Sequence, residues 1–184
     1  MLEGRNVNLR VVAKEDLPFI VEWANDPEFN GEHEPIMQLS KGELEKWYAN
    51  SGPEEKWFLI EKKDGTRIGL VRHDSHAWGV TLGSVLIPSE RRKGYSTEAI
   101  SMLVDYLFLS KDIVRIQARA NKLNSASKRV LEKVGFSEEG TMRKSSFSRG
   151  KWVGMIVYSI LREEWKERAR YWVSIVSRYM LVKL

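Results

Sequence analysis

Three cations in a row, Arg91-Arg92-Lys93, stand directly before Gly94 and the segment Tyr95-Ser96-Thr97-Glu98-Ala99. That order suits the capture of a polyanion. Backbone N–H groups at a helix start have no intrahelical acceptor, the helix dipole is positive there, and a glycine allows close approach. Full positive charges beside them strengthen the attraction. A pyrophosphate fits this description. The loop carries neither the G-x-x-x-x-G-K-[ST] of nucleotide triphosphatases nor the G-x-G-x-x-G of dinucleotide folds. His73-x-x-His76 offers metal-ligand chemistry, but without a third ligand at helical spacing it reads as a turn-forming pair. The chain contains no Cys, which excludes disulfides, thiolate metal sites and a Cys acyl-enzyme.

The anion loop needs a strand before it and a helix after it. Trp78 to Ile87 is β-prone and ends at Pro88, which cannot donate to a continuing ladder. Ile100, Leu103, Val104 and Leu107 then form the i, i+3, i+4, i+7 stripe of a half-buried helix. Upstream, Asn6 to Val12 alternates as a first strand, and a helix begins near Lys14-Glu15-Asp16 with Leu17, Ile20, Val21 and Ala24 inward. Ser40-Lys41-Gly42-Glu43 is a capping box for a helix carrying Leu44, Trp47 and Tyr48. Trp57 to Glu61 and Arg67 to Arg72 flank the hairpin signal Asp64-Gly65, and His73 to His76 turns the chain into the central strand. Downstream, Ile113 to Ala120 alternates Val114, Ile116 and Ala118 against polar neighbours. Asn124 or Ser125 caps a helix with Ala126, Val130 and Val134 inward and Gly135 as its left-handed stop. Ser137 to Phe147 and Lys151 to Leu161 read as a closing hairpin across Arg149-Gly150.

With 184 residues, 42% hydrophobic and 30% charged, the chain suits one soluble domain with a sizeable core. A net charge of +5 is a mild bias toward polyanionic ligands. Its basic clusters lie on different elements without the aromatic interleaving of a nucleic-acid platform. No signal-peptide pattern and no membrane-spanning run is present, so a cytoplasmic location is expected. From Glu163 onward Trp165, Ala169, Trp172, Val176 and Tyr179 recur at helical spacing. This amphipathic segment is expected to dock on its own domain or on a second copy, as in a homodimer; resting on a membrane surface is the alternative.

Four blocks in order carry a family resemblance. Arg91, Gly94 and Ser96 fall on the fixed positions of the [QR]-x-x-G-x-[GA] loop of the GNAT superfamily of acyl-CoA-dependent N-acetyltransferases. Asn124 to Phe136 resembles that family's N-x-x-S…E-K-x-G-F segment. Arg10…Asp16-Leu17…Trp23-Ala24-Asn25-Asp26-Pro27 and Gly150-Lys151-Trp152…Tyr158 to Trp165 are similar to the ribosomal-protein alanine N-acetyltransferase branch. The resemblance spans roughly residues 5 to 165. It implies an α/β (α+β) fold: a mixed, mostly antiparallel sheet of about six or seven strands, helices on both faces, splayed beside the Gly94 loop. The implied acetyltransferase domain covers residues 1–165, with 166–184 as the appended helix.

The resemblance also implies acetyl-CoA as co-substrate and no metal. Arg91, Arg92, Lys93, Gly94, Tyr95, Ser96 and Thr97 would hold its pyrophosphate. The backbone of Val85, Leu86 and Ile87 would pair with the pantetheine arm, and Asn124 would contact the same ligand, although an N-cap reading of Asn124 stays open. Ser127 is the candidate acid for the leaving thiolate, because the family's more common Tyr would fall at Leu131. No Glu occupies Val80 to Ser84, where many members keep a base; Glu138, Glu139, Glu34, His33 and His73 are the alternatives. Gly154 replaces the Asp of the branch's W-x-D. The expected acceptor is a primary amine, first a protein N-terminal α-amine, including ribosomal proteins. A polyamine or aminoglycoside stands second, and a catalytically silent CoA-binding or ribosome-associated module stands as the non-enzymatic alternative.

Overall fold

The structure is a computed structural model that describes residues 1–77 and 79–168. Its frame is one eight-stranded sheet. The strands are β1 (Leu2–Glu3), β2 (Val7–Val11), β3 (Glu55–Lys62), β4 (Arg67–His76), β5 (Gly79–Leu86), β6 (Arg115–Asn121), β7 (Ser137–Ser148) and β8 (Lys151–Leu161). They lie in the order β1-β2-β3-β4-β5-β6-β8-β7. All neighbours are antiparallel except β5 and β6, whose parallel pairing requires the long helical crossover between them.

That parallel ladder is short. It pairs Val80 with Ile116, Thr81 with Gln117 and Leu82 with Ala118, and then stops. Beyond it β5 stays with β4 through Leu86 and Gly69, while β6 stays with β8 through Asn121 and Met155. Each strand follows its antiparallel partner, so a V opens between the last residues of β5 and β6. The expected splay is therefore a register property of the sheet.

Helices cover both faces. On one, α4 (Tyr95–Ser110) and α5 (Ser125–Val134) bury Leu103, Leu107 and Leu131 against Val80, Leu82 and Ile116. On the other, α1 (Leu17–Asn25), α2 (Pro27–Asn30) and α3 (Lys41–Asn50) pack Leu17, Ile20, Phe29 and Leu44 over Leu59 and Leu70. The capping box at α3 is present: Ser40 Oγ accepts from Glu43 N at 3.2 Å, and Glu43 Oε2 accepts from Ser40 N at 2.8 Å. Asp16, fully buried, accepts from both Arg10 guanidinium ends at 2.8 and 3.0 Å and from Ala13 N at 2.8 Å. This pair fixes how the chain turns from β2 into the 3-10 turn Lys14–Asp16 and then α1.

Several local expectations change. The two-residue β1 raises the strand number to eight, its turn tied by Glu98 of α4, which accepts from Asn6 N at 2.7 Å. Trp23 rather than Ala24 is buried on α1, stacked on Phe29 at 4.8 Å. Val114 precedes β6 and is 71% exposed. On α5 Leu131 is buried and Ala126 exposed, because the stripe follows the face toward α4. His73 and His76 lie within β4 rather than in a turn. Three residues apart on a strand, they point to opposite faces and cannot share a metal. A seven-residue helix, α6 (Arg162–Arg168), follows β8 directly. Its Trp165 packs on Phe108 at 5.2 Å and donates to Asp105 Oδ1 at 2.7 Å. The remainder of the segment expected to form an amphipathic helix, with Ala169, Trp172, Val176 and Tyr179, lies outside the described residues, as does Trp78.

His73 is fully buried with no hydrogen-bond partner for either ring nitrogen among the described residues. Burial, with Lys111 nearby, pushes its pKa down to about 4. A histidine whose folded pKa lies below its unfolded value supports folding above about pH 6.5 and loses that support as pH falls through 4. The loss amounts to at most about 3 kcal/mol. Denaturant melts of wild type and His73→Leu between pH 7 and 4 should diverge accordingly, with the wild type steeper; parallel curves would show that the ring is solvated in the folded protein.

Candidate functional site

The last turn of β5 runs into a 3-10 turn, Pro88–Glu90, and then the cation loop. Arg92 and Gly94 both take left-handed backbone conformations, at φ 64° and 87°. Gly94 is the N-cap of α4. The first backbone bond of that helix is Glu98 N to Gly94 O at 3.1 Å. Among the described residues nothing accepts from the N–H groups of Tyr95, Ser96 or Thr97. A Cβ built on Gly94 meets nothing within 4 Å, so the cradle opens outward. Backbone donors converging at a left-handed turn and a helix start form an anion nest.

The three cations do not act alike. Arg92 and Lys93 are exposed at the mouth, and Lys93 Nζ reaches Glu90 Oε2 at 3.0 Å. Arg91 is turned away. Its Nε donates to Leu86 O at 3.1 Å, and its Nη2 donates to Glu28 O and Phe29 O, each at 2.7 Å. The guanidinium is therefore not a free charge at the mouth of the loop: its Nε and Nη2 donors are taken by carbonyls of the protein. Its loop position stays as expected.

At the β5 edge, Ile87 N donates to Ile68 O at 2.9 Å, toward β4. Backbone groups alternate sides along a strand, so Leu86 and Ser84 present theirs to the V, and Val85 and Ile87 present theirs to β4. Of the three residues expected to pair with an extended ligand, Leu86 is the one that faces the opening, joined by Ser84. Gly69 makes this geometry fit, since a Cβ there would run into the Val85 carbonyl and Leu86 Cδ2. Gly69→Ala should weaken CoA binding by about tenfold through displacement of this edge. Gly83→Ala, with only Arg72 Nε 4.0 Å from its Cβ position, should change it less than twofold. Equal effects in a calorimetric titration would remove the edge from the site.

Asn124 Oδ1 accepts from Ser127 N at 3.0 Å, so the N-cap reading of Asn124 holds and its carboxamide nitrogen remains outside that bond. Ser127 lies in the first turn of α5, half-buried, beside the β6 arm of the V. Leu131, where a Tyr would fall, points into the core.

The base candidates separate by surroundings. Arg115 grips Glu139 with both guanidinium ends and Ser159 Oγ donates at 2.6 Å; together they hold its pKa down to about 2. Glu139 is thus a structural anion. His73 is a core side chain. Glu138 is exposed. Glu34 differs: the residue stays exposed, yet the protein around it desolvates the carboxyl and pushes its pKa up. Asn121, buried at the tip of β6, fixes the loop just ahead of it by donating Nδ2 to His33 O at 2.9 Å. From the β7–β8 turn, Arg149 Nη2 donates to Pro27 O at 3.2 Å and Gly31 O at 3.1 Å. Asn121, Arg149 and Gly69 carry no local sequence signal, because their partners are remote in the chain.

Gly154 sits opposite a bulge in β7, where Arg143 to Ser145 stand between the Met142–Met155 and Ser146–Val153 pairs. A Cβ there would come within 3.3 Å of Met142 O and Thr141 Cγ2. The bulge accounts for glycine in place of a carboxylate. Among the described residues no cluster of three or more His, Asp or Glu could hold a metal, and no helix is long and apolar enough to cross a membrane.

The family model described as an acetyltransferase (GNAT) domain matches residues 6–137. The chain is 26% identical to the SPbeta prophage-derived uncharacterized N-acetyltransferase YokL of Bacillus subtilis, over 89% of this chain and 94% of that protein. It is 25% identical to the spermidine N(1)-acetyltransferase of Escherichia coli, over 90% of this chain and 91% of that one. Among solved structures, a spermidine N-acetyltransferase from Vibrio cholerae in complex with CoA and spermine superimposes with a TM-score of 0.79. It shares 23% identity over 88% of this chain and 98% of that one. That last likeness establishes the fold.

Proposed function

Because the chain belongs to the GNAT acetyltransferase family, we propose that it moves an acetyl group from acetyl-CoA to a primary amine of a small polycation, the polyamine class. The nest at Gly94 and the side chains of Arg92 and Lys93 hold the phosphates. The β5 edge at Ser84 and Leu86 aligns the pantetheine arm along the V, where a backbone N–H can also donate to the thioester oxygen as negative charge develops on it. The amine nitrogen attacks the thioester carbon, the C–S bond breaks as the tetrahedral intermediate collapses, and Ser127 gives its hydroxyl proton to the thiolate and regains the second proton shed by the attacking nitrogen. A thiol pKa near 8.5 needs only weak acid help. Glu34 takes the proton of the incoming ammonium, a role its raised pKa suits.

The acidic loop carries the choice of acceptor. Glu28, Glu32 and Glu34 stand within seven residues on a segment that Asn121 and Arg149 fix at the mouth of the V. Clustered carboxylates favour a second or third ammonium on the acceptor. The spermidine acetylation named for two proteins of the same fold supports this reading. The protein N-terminal α-amine remains the second reading, resting on the Arg10 to Pro27 and Trp152 to Trp165 blocks. A mass-spectrometric screen with acetyl-CoA should include spermidine, spermine, an aminoglycoside and Ala- or Ser-starting peptides. Acetylated polyamine, at a kcat/KM at least about tenfold above any peptide, is the expected result. Acetylated peptide with untouched polyamine would transfer the assignment to N-termini, and transfer to nothing would leave a silent CoA-binding module.

A further inference from the structure

We propose that Arg91, on the first fixed position of the phosphate loop, is a positioning residue for the amine acceptor and not a phosphate ligand. This rests on the reading that residues 92–97 hold CoA. Arg91 reaches three separate pieces of backbone. Its own amide bonds Pro88 O at 3.3 Å, closing the turn that leads into the nest. Its Nε takes the carbonyl of Leu86, the β5 residue whose backbone faces the V. Its Nη2 takes the adjoining carbonyls of Glu28 and Phe29 in α2. Its Nη1 lies beside Gly31, 3.8 Å from where a Cβ would stand.

The consequence is geometric. Leu86 marks where the thioester arm is aligned, and α2 leads into the loop that carries Glu32 and Glu34. One planar guanidinium joins the two, so the angle between thioester edge and acceptor loop is set by Arg91. A fork with five donors in a plane can hold three carbonyls at fixed directions; a lysine ammonium offers a point charge on a flexible stem. Arg149 clamps the same segment from the opposite side through Pro27 O and Gly31 O, without contact to the phosphate loop. The Glu28 and Phe29 carbonyls at the end of this short helix are taken by Arg91, and Arg149 adds a second bond to Pro27 O, which already accepts from Gly31 N, and one to Gly31 O. Loss of either clamp should shift the acceptor loop, and displacement by about 1 Å costs on the order of a hundredfold in rate.

The test compares Arg91→Lys, Arg91→Gln, Arg92→Ala and Arg149→Ala with wild type, by calorimetric CoA titration and steady-state kinetics with spermidine and an Ala-starting peptide. Hydrogen–deuterium exchange of residues 27–34 supplies a readout free of turnover. Arg91→Gln should leave the CoA Kd within about twofold, lower kcat/KM for the amine tenfold to a hundredfold, and speed exchange in 27–34. Arg91→Lys should fall between it and wild type, and Arg149→Ala should give the same pattern. Arg92→Ala should do the reverse, raising the CoA Kd with little change in exchange. A tenfold or greater rise in CoA Kd for Arg91→Gln, with exchange in 27–34 unchanged, would make Arg91 a phosphate ligand and overturn the proposal. Unchanged kinetics and exchange in both Arg91 variants would overturn it as well. If wild type itself fails to bind CoA, the reading of the loop fails first, and exchange in the Arg91 variants still reports whether the strut exists.

Discussion

Gly94→Asp should weaken CoA binding by roughly a hundredfold to ten-thousandfold while the melting temperature moves little. The position combines two properties that make the outcome informative. Its backbone is left-handed at φ 87°, a region that Asp and Asn enter at lower cost than other side chains, and a Cβ there meets no protein atom within 4 Å. The folded protein therefore accommodates the side chain. The ligand does not: a carboxylate placed among the amides of Tyr95, Ser96 and Thr97 takes the donors meant for phosphate and repels its charge. A like charge within a few ångströms of the phosphates and the loss of the amide donors that the carboxylate occupies together support the range given. Gly94→Asn separates the two contributions, because it keeps shape and left-handed tolerance but not charge. Equilibrium dialysis with labelled CoA should rank wild type, Asn and Asp in that order, with the larger step between Asn and Asp. If Asp binds as tightly as wild type, the phosphates lie elsewhere.

Ser127→Ala should lower kcat by about tenfold to a thousandfold, the lower part of what general acid catalysis supplies. The KM for acetyl-CoA should hardly change, since the phosphates are held by α4 and the hydroxyl is on α5. The α5 cap should survive too, because Asn124 Oδ1 binds the backbone N–H of Ser127 and not its side chain. Single-turnover measurements isolate the chemical step from product release. A loss confined to KM would make Ser127 a binding residue. An unchanged single-turnover rate would mean that water protonates the thiolate.

Local pattern reached much of this molecule. The alternation of Val7 and Leu9, the Ser40 to Glu43 capping box, the Asp64-Gly65 hairpin and the Gly135 stop all encode contacts within a few residues, and each appears where expected. The failures share a cause. The contacts of Arg91 were hidden because its partners Glu28 and Phe29 lie more than sixty positions away. Asn121 and Arg149 were silent for the same reason, with partners His33 and Gly31 set by the sheet's closure. His73 looked like part of a turn, since polar neighbours Asp74 and Ser75 hid a strand that continues to His76. Glu139 stood among the alternatives for the base, and its grip by Arg115 comes from β6, twenty-four positions upstream. The Gly94 loop was therefore the more legible part, being one contiguous stretch. Residues 27–34 are held by Arg91, Asn121 and Arg149, which lie far apart in the chain.

Direct calorimetric titration of the wild-type chain with CoA and with dephosphorylated pantetheine tests the central claim, a backbone phosphate cradle at Gly94 that serves acetyl transfer. Both ligands can lie along the β5 edge, and CoA alone can fill the nest. The account predicts that CoA binds at least about a hundredfold more tightly, with an affinity that falls as salt rises, as expected for charge held by an exposed nest. Equal affinities for the two ligands, or tight CoA binding that ignores salt, would contradict it.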